Sequence, residues 1–149
     1  MNKKGLFSHQ TDHWRTPLDI YYYFIHRKNC ADPCPFQSEE NNLNKTYDTR
    51  LFINPPYSDI KNWVEFIKRN LYTANEIYLL IPARTDTRYF HELMQLEDCI
   101  ITLYFIKGRL RFNESKKSAP FPSVLIKFNR SPMTALFVHF IEKEDIFRC

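Results

Sequence analysis

Apolar residues fall at helical spacing in three stretches of the chain and in compact runs in five others. In SDIKNWVEFIKRNL (58–71), Ile60, Trp63, Val64, Ile67 and Leu71 share one face, which predicts an amphipathic helix with Ser58 as N-cap, acids early and bases late. TPLDIYYYFIHRKN (16–29) spaces Ile20, Tyr23 and Phe24 the same way, with Thr16 as N-cap and Pro17 at the first helical position. TRYFHELMQL (87–96) is the third such stretch, and His91 on it reads as a half-buried packing residue. The runs RLFIN (50–54), EIYLLIPA (76–83), CIITLYFIK (99–107), PSVLIKFN (122–129) and TALFVHFI (134–141) read as strands, the last at a sheet edge; CAD (30–32) closes a short one. PCPFQSEENNLNKTYDT (33–49) is polar and broken by prolines, so it reads as loop.

The order β-α-β-α-β over residues 50 to 107 implies an α/β fold, a mainly parallel sheet flanked by helices. With 149 residues, 44% of them hydrophobic, the chain has material for one core, and a single domain over residues 1–149 is expected. Ligands of such sheets bind beyond the carboxyl ends of the strands. DPCP (32–35), NPPY (54–57) and PARTDTR (82–88) are therefore expected to line one rim.

Composition narrows the ligand. Gly5 and Gly108 are the only glycines, which excludes a P-loop and a GxGxxG turn wrapped around a pyrophosphate. Cys30, Cys34, Cys99 and Cys149 form no CxxC pair and lack zinc-type histidine spacing, so free thiols in a reducing compartment and no metal are expected. The opening MNKKGLFSHQTDHW has no apolar core of a signal peptide, and no stretch reaches the roughly 18 apolar residues of a membrane span, so a cytoplasmic protein is expected. The net charge of +4 is uneven: KGRLRFNESKK (107–117) holds five bases and one acid, which suits either a polyanion or a merely solvated edge.

NPPY at the end of an apolar strand carries specific chemistry. The Asn54 side-chain oxygen and the Pro55 carbonyl, held at a fixed angle by two prolines, make a pair of acceptors suited to a planar NH2 group. Tyr57 offers a ring face for stacking. Such a nitrogen is a poor nucleophile while its lone pair is delocalised. Two hydrogen bonds to its N–H groups free the pair, so positioning and fixed dipoles suffice for attack on an activated methyl group without a general base. The plainer alternative is a turn that closes a strand. In RTDTR (84–88), Thr85 or Asp86 is placed to cap the next helix, while Arg84 and Arg88 are placed to meet phosphate or complete a pocket. Lys107, Arg109 and Arg111, two apart, share one face of an extended segment. Beside Tyr57, Phe112 and Phe121 are the aromatics that the motifs place to touch a planar group.

WRTP (14–17), DPCP, NPPYSDIKNWV, LLIPARTDTRYFH, KGRLRF and APFPSVLIKF, in this order, resemble the phage and prophage DNA N6-adenine methyltransferase family over about residues 12 to 128. The resemblance implies a reduced class I, Rossmann-like fold that uses S-adenosylmethionine to methylate the N6 amino group of adenine in DNA. The DNA would be single-stranded, or double-stranded with the base flipped. It implies that Asn54 and the Pro55 carbonyl hold the amino group, Pro56 shapes the turn and Tyr57 stacks on the base. Asp32, with Pro33 and Cys34, would lie near the methionine part of the cofactor, and Trp14, Thr16, Pro17 and Asn54 would complete that side. Arg84, Asp86, Thr87, Arg88, Lys107, Arg109, Arg111 and Phe121 would face DNA. A phage or prophage origin, in a bacterial cytoplasm, and protection from restriction are implied as well. For Asp32 a strand-end turn, and for Trp14 core packing, are the alternatives.

Two features depart from larger methyltransferases. No glycine follows Asp32, and only 21 residues separate it from Asn54, which is short for further strand–helix pairs. The usual acidic ribose contact has no obvious seat; Glu39 and Glu40 are either that contact or solvated loop acids. With no room for a separate target-recognition domain, weak or short sequence specificity is expected. Two other readings stay open: a non-catalytic nucleic-acid-binding or host-interaction protein on a decayed methyltransferase scaffold, and methylation of another planar NH2 group, on an RNA base or a protein glutamine.

Overall fold

A computed structural model describes residues 13–149. Its centre is a five-stranded mixed sheet in the order β1-β2-β4-β3-β5, formed by β1 (Leu51–Ile53), β2 (Ile77–Pro82), β3 (Cys99–Ile106), β4 (Ser123–Arg130) and β5 (Ala135–Ile141). β1 pairs in parallel with β2, Leu51 opposite Ile77, through the crossover helix α2 (Ile60–Asn70). β3 pairs in parallel with β5. Between β2 and β3, however, lies β4, antiparallel to both, with Leu80 opposite Leu125 and Leu125 opposite Tyr104. Four of the five strands thus run one way, as expected of a mainly parallel sheet, and β4 alone runs against them, which makes the sheet mixed. Burial accounts for the central place of β4: Val124, Leu125, Ile126 and Phe128 are all inside, and a strand apolar on both faces belongs in the middle of a sheet. The assembly is an α/β fold, a sheet with helices packed against it.

Period-two alternation sends side chains into a core on each face. Leu51, Ile53, Leu79, Ile81, Leu103 and Ile126 pack with α2 and with α3 (Arg88–Met94). Phe52, Tyr78, Leu80 and Leu125 pack with Phe24 on the other face, where Phe24 stacks on Phe52 at 4.5 Å. CAD contributes one bridge, Ala31 to Leu51.

The helix starts differ from expectation in an instructive way. α1 (Leu18–Tyr22) continues as a π-helical turn over Tyr23–Arg27, and its N-cap is Pro17, whose carbonyl accepts from Tyr21 N at 2.9 Å. Thr16 does not cap it; its hydroxyl is engaged elsewhere. Ser58 does not cap α2, because Asp59 N donates to the Pro56 carbonyl at 3.0 Å and draws Tyr57–Asp59 into a 3-10 turn, leaving Asp59 at the cap and no acid in the first turn. Thr87, rather than Thr85 or Asp86, sits at the cap of α3. A closing 3-10 segment, Lys143–Arg148, was not expected; its capping box joins Glu142 and Asp145. Among the described residues no helix is long and apolar enough to cross a membrane, no group of acids, histidines and cysteines could hold a metal ion, and all four cysteines are free thiols.

Candidate active site

Asn54 stands where β1 stops, because Pro55 and Pro56 have no N–H to give the ladder. Its side chain is 4% exposed. The amide Nδ2 donates to the Trp14 carbonyl at 2.5 Å and to Thr16 Oγ1 at 3.0 Å. Both amide protons are thereby used, which fixes the remaining atom, Oδ1, as the acceptor; it receives the Tyr57 hydroxyl at 3.3 Å. His13 Nε2 donates to the Asn54 carbonyl at 3.2 Å.

Residues 13–16 form a strap across the carboxyl ends of the strands, held from its other side by the 113–114 turn. Arg15 N donates to Asn113 Oδ1 at 2.6 Å, Asn113 N donates to the Arg15 carbonyl at 3.0 Å, and the Arg15 guanidinium pairs with Glu114 at 3.3 Å. The Trp14 ring meets Phe121 and Phe112 edge-on at 5.4 and 6.0 Å.

The strap divides two cavities. The first, of about 220 Å3, is lined by Trp14, Thr16, Tyr21, Asp32, Cys34, Phe36 and Asn54 among others. Asp32 Oδ1 accepts from Cys34 N at 2.9 Å in an Asx turn, yet burial outweighs that bond and pushes the carboxyl up to about 6. Cys34 is pushed up to about 12 by burial first and then by the nearby acids Asp32 and Asp59, so it stays a thiol. Pro33 is inside, and its carbonyl accepts from Asn42 Nδ2 at 3.0 Å, which ties the loop down. Pro17 does not line this cavity; it faces a groove with Leu110, Arg111 and Phe147.

The second cavity, of about 330 Å3, is lined by Trp14, Tyr57, Pro82, Arg84, Thr87, Tyr89, Pro120 and Phe121. Tyr57 and Phe121 meet at 5.4 Å and 83°, and burial raises the Tyr57 hydroxyl above its ordinary value, so it remains a donor. Thr87 Oγ1 donates to the Arg84 carbonyl at 2.7 Å, shaping the turn that presents Arg84.

The single rim expected of DPCP, NPPY and PARTDTR is therefore two adjoining cavities, the first joining DPCP to NPPY and the second joining NPPY to PARTDTR. Asn54 and Tyr57, one hydrogen bond apart, connect them. Asp86 and Arg88 are exposed and line neither. Arg109 and Arg111 point outward while Leu110 and Phe112 point in, an alternation that fits the expectation. Lys107 does not join their face, because Gly108 at φ +76° breaks the extended run, and Lys107 pairs with Glu142 at 3.0 Å. Phe112, 1% exposed, is core and not a stacking surface. His91 is exposed and its Nε2 bonds the Thr85 carbonyl at 2.8 Å, so it is not the packing residue expected. Tyr89, Tyr21, Phe36 and the Asn113–Glu114 cradle went unread, since no motif marks them; the exposed Asn113 and Glu114, both at positive φ, gave only a turn signal.

A family model described as DNA N-6-adenine-methyltransferase (Dam) matches residues 5–147, nearly the whole chain. No curated protein matches the sequence. Among solved structures the chain is similar to a predicted O-methyltransferase, protein Atu636 from Agrobacterium tumefaciens, at 12% identity and a TM-score of 0.39, over 66% of this chain and 50% of that one. The chain thus spans about half the length of that protein, a likeness too distant to bear on mechanism.

Proposed function

The chain belongs to the DNA N-6-adenine-methyltransferase (Dam) family, and from that premise we propose that it transfers a methyl group from S-adenosylmethionine to the N6 amino group of adenine in DNA. The observation that carries this reading is the Asn54 amide: both its N–H groups are spent on Trp14 and Thr16, which commits Oδ1 to accepting. A substrate NH2 group needs an acceptor of that kind, rigid and buried, to localise its lone pair.

The first cavity fits the cofactor by the chemistry of its walls. Asp32 is a carboxyl whose ionised form is disfavoured by burial, so a cationic ligand there would gain from restoring the charge. Trp14, Tyr21 and Phe36 add aromatic surface for an apolar or planar part. Bound there, S-adenosylmethionine supplies an electrophilic methyl group on a cationic sulfur, next to the residue that accepts from the substrate amine. The second cavity suits the base: Tyr57, Phe121 and Trp14 form aromatic walls and Arg84 stands at an exposed edge, where a phosphate would meet it. Asn54 Oδ1 holds one amine hydrogen, Tyr57 both stacks and orients Asn54, and the proton displaced from nitrogen passes to solvent. Arg109 and Arg111 extend the basic surface for a DNA backbone.

Labelled methyl transfer to DNA that lacks adenine methylation tests the reading. Transfer by the wild type that falls at least about 100-fold in Asn54→Ala, as removal of one preorganised electrostatic partner does, supports it. Wild-type protein that binds DNA but transfers nothing favours the decayed-scaffold alternative.

A further inference from the structure

β5 is at odds with the rule that puts β4 in the middle of the sheet. β5 is the more nearly unbroken apolar run of the two, ALFVHFI, yet it exposes Leu136 at 50%, Phe137 at 52%, Val138 at 47% and Phe140 at 84%, with Met133 at 65% just before it. The opposite edge of the sheet is protected: Ala31 N donates to the Arg50 carbonyl at 2.8 Å and Phe52 N to the Ala31 carbonyl at 3.0 Å. β5 has β3 on one side and, among the described residues, no strand on the other. Every second residue therefore turns its N–H and C=O outward, and no lysine, acid or proline interrupts Ala135–Ile141 to blunt that edge. Its rings are already held in place, His139 stacked on Tyr104 at 5.3 Å and Phe140 on Phe105 at 5.6 Å.

We propose that β5 is the interface between two copies of this chain, paired antiparallel and edge to edge about a two-fold axis at Val138, so that two five-stranded sheets become one. The strand is self-complementary in that register, because opposed residues share a face. Leu136 meets Phe140 of the second copy, Val138 meets its own counterpart, and Phe137 meets His139. Leu136, Val138 and Phe140 lie opposite Ile101, Leu103 and Phe105, so the apolar stripe continues the core face already covered by α2 and α3. His139 is the one ionisable residue in the strand and meets an aromatic ring, so no like charges face each other. The exposed parts of these side chains and of Met133 sum to on the order of 500 Å2 a copy, about 1,000 Å2 for the pair, the lower bound of a specific interface. Isologous pairing is also the commonest closed symmetry, and it removes the free edge from both copies at once. β1 and β2, which end at the two cavities, lie at the far side of each sheet, so pairing leaves them open. The proposal stands apart from the methyl-transfer reading.

Sedimentation and light scattering of the full chain test it. The wild type should show twice the chain mass, and Val138→Lys and Phe140→Glu should each be monomeric with unchanged circular dichroism and cooperative unfolding, since both sites are at the surface. In Val138→Cys, on the axis, a short bifunctional thiol reagent should link copies well above the wild-type background. A monomeric wild type, or a dimer that survives both charged variants, overturns the proposal. So does a dimer in which Val138→Cys fails to link, because that excludes the edge-to-edge register.

Discussion

Thr16 Oγ1 accepts an amide proton of Asn54 at 3.0 Å, so a residue of the strap, 38 positions away in sequence, sets which way the Asn54 side chain points. Thr16 is 8% exposed and Asn54 4%, and the Trp14 carbonyl takes the second proton. Asn54 Oδ1, the acceptor of the proposed reaction, is thus oriented through the other end of its own amide.

Thr16→Val removes that acceptor at nearly constant volume. A buried N–H left unpaired costs about 1–3 kcal/mol. The melting temperature should fall by several degrees. Turnover should fall by about 10-fold or more with little change in KM for DNA, while Thr16→Ser should restore both. Scanning calorimetry and steady-state kinetics on the three proteins check this, and normal turnover in Thr16→Val would show that Asn54 needs no such support.

The proposed reaction gives Tyr57 two separable roles. Tyr57→Phe keeps the ring but loses the hydroxyl that donates to Asn54 Oδ1 at 3.3 Å, so turnover should fall modestly with KM unchanged. Tyr57→Ala also removes the stacking surface, worth about 1–3 kcal/mol per base, and should raise KM for DNA roughly 5- to 150-fold.

With Asp32 beside a cationic cofactor, as proposed, binding should depend on pH. Its folded value, about 6, lies above the ordinary carboxylate value of 3.8, so its contribution to stability without ligand is fully present below pH 3.8 and lost as pH rises through about 6. A cationic ligand reverses the preference, because it binds the carboxylate. Calorimetric titration with S-adenosylmethionine should show affinity rising between pH 5 and 7 and levelling above. In Asp32→Asn the affinity should be weaker and flat across that range.

The basic surface is tested by salt. If Arg84, Arg109 and Arg111 each neutralise a phosphate, replacing any one by glutamine should lower the slope of log K against log salt by about 0.9 for duplex or 0.7 for single strands. Lys107→Gln should change the slope less, since Lys107 pairs with Glu142.

Much of this arrangement was legible in the chain because burial speaks through pattern. β2 reads from IYLLIP since all six residues are buried, and α2 from the face that holds Trp63, Val64 and Ile67. NPPY declared a strand end because proline cannot donate to a ladder. The insertion of β4 between β2 and β3 was not legible, as an apolar run shows that a strand is interior without saying which neighbours it takes. Nor was the role of Thr16: a threonine before Pro17 looks like a helix cap, and the competing bond to Asn54 is a long-range contact that no local spacing reveals. The common face of Lys107 with Arg109 and Arg111 failed for a local reason, the left-handed Gly108.

Digestion of the methylated product to nucleosides, with chromatographic identification of the labelled one, tests the central claim most directly. Label in N6-methyldeoxyadenosine, present with wild type and absent with Asn54→Ala, is the expected result. Label in a cytosine derivative, in RNA alone, or retained in full by Asn54→Ala would contradict it.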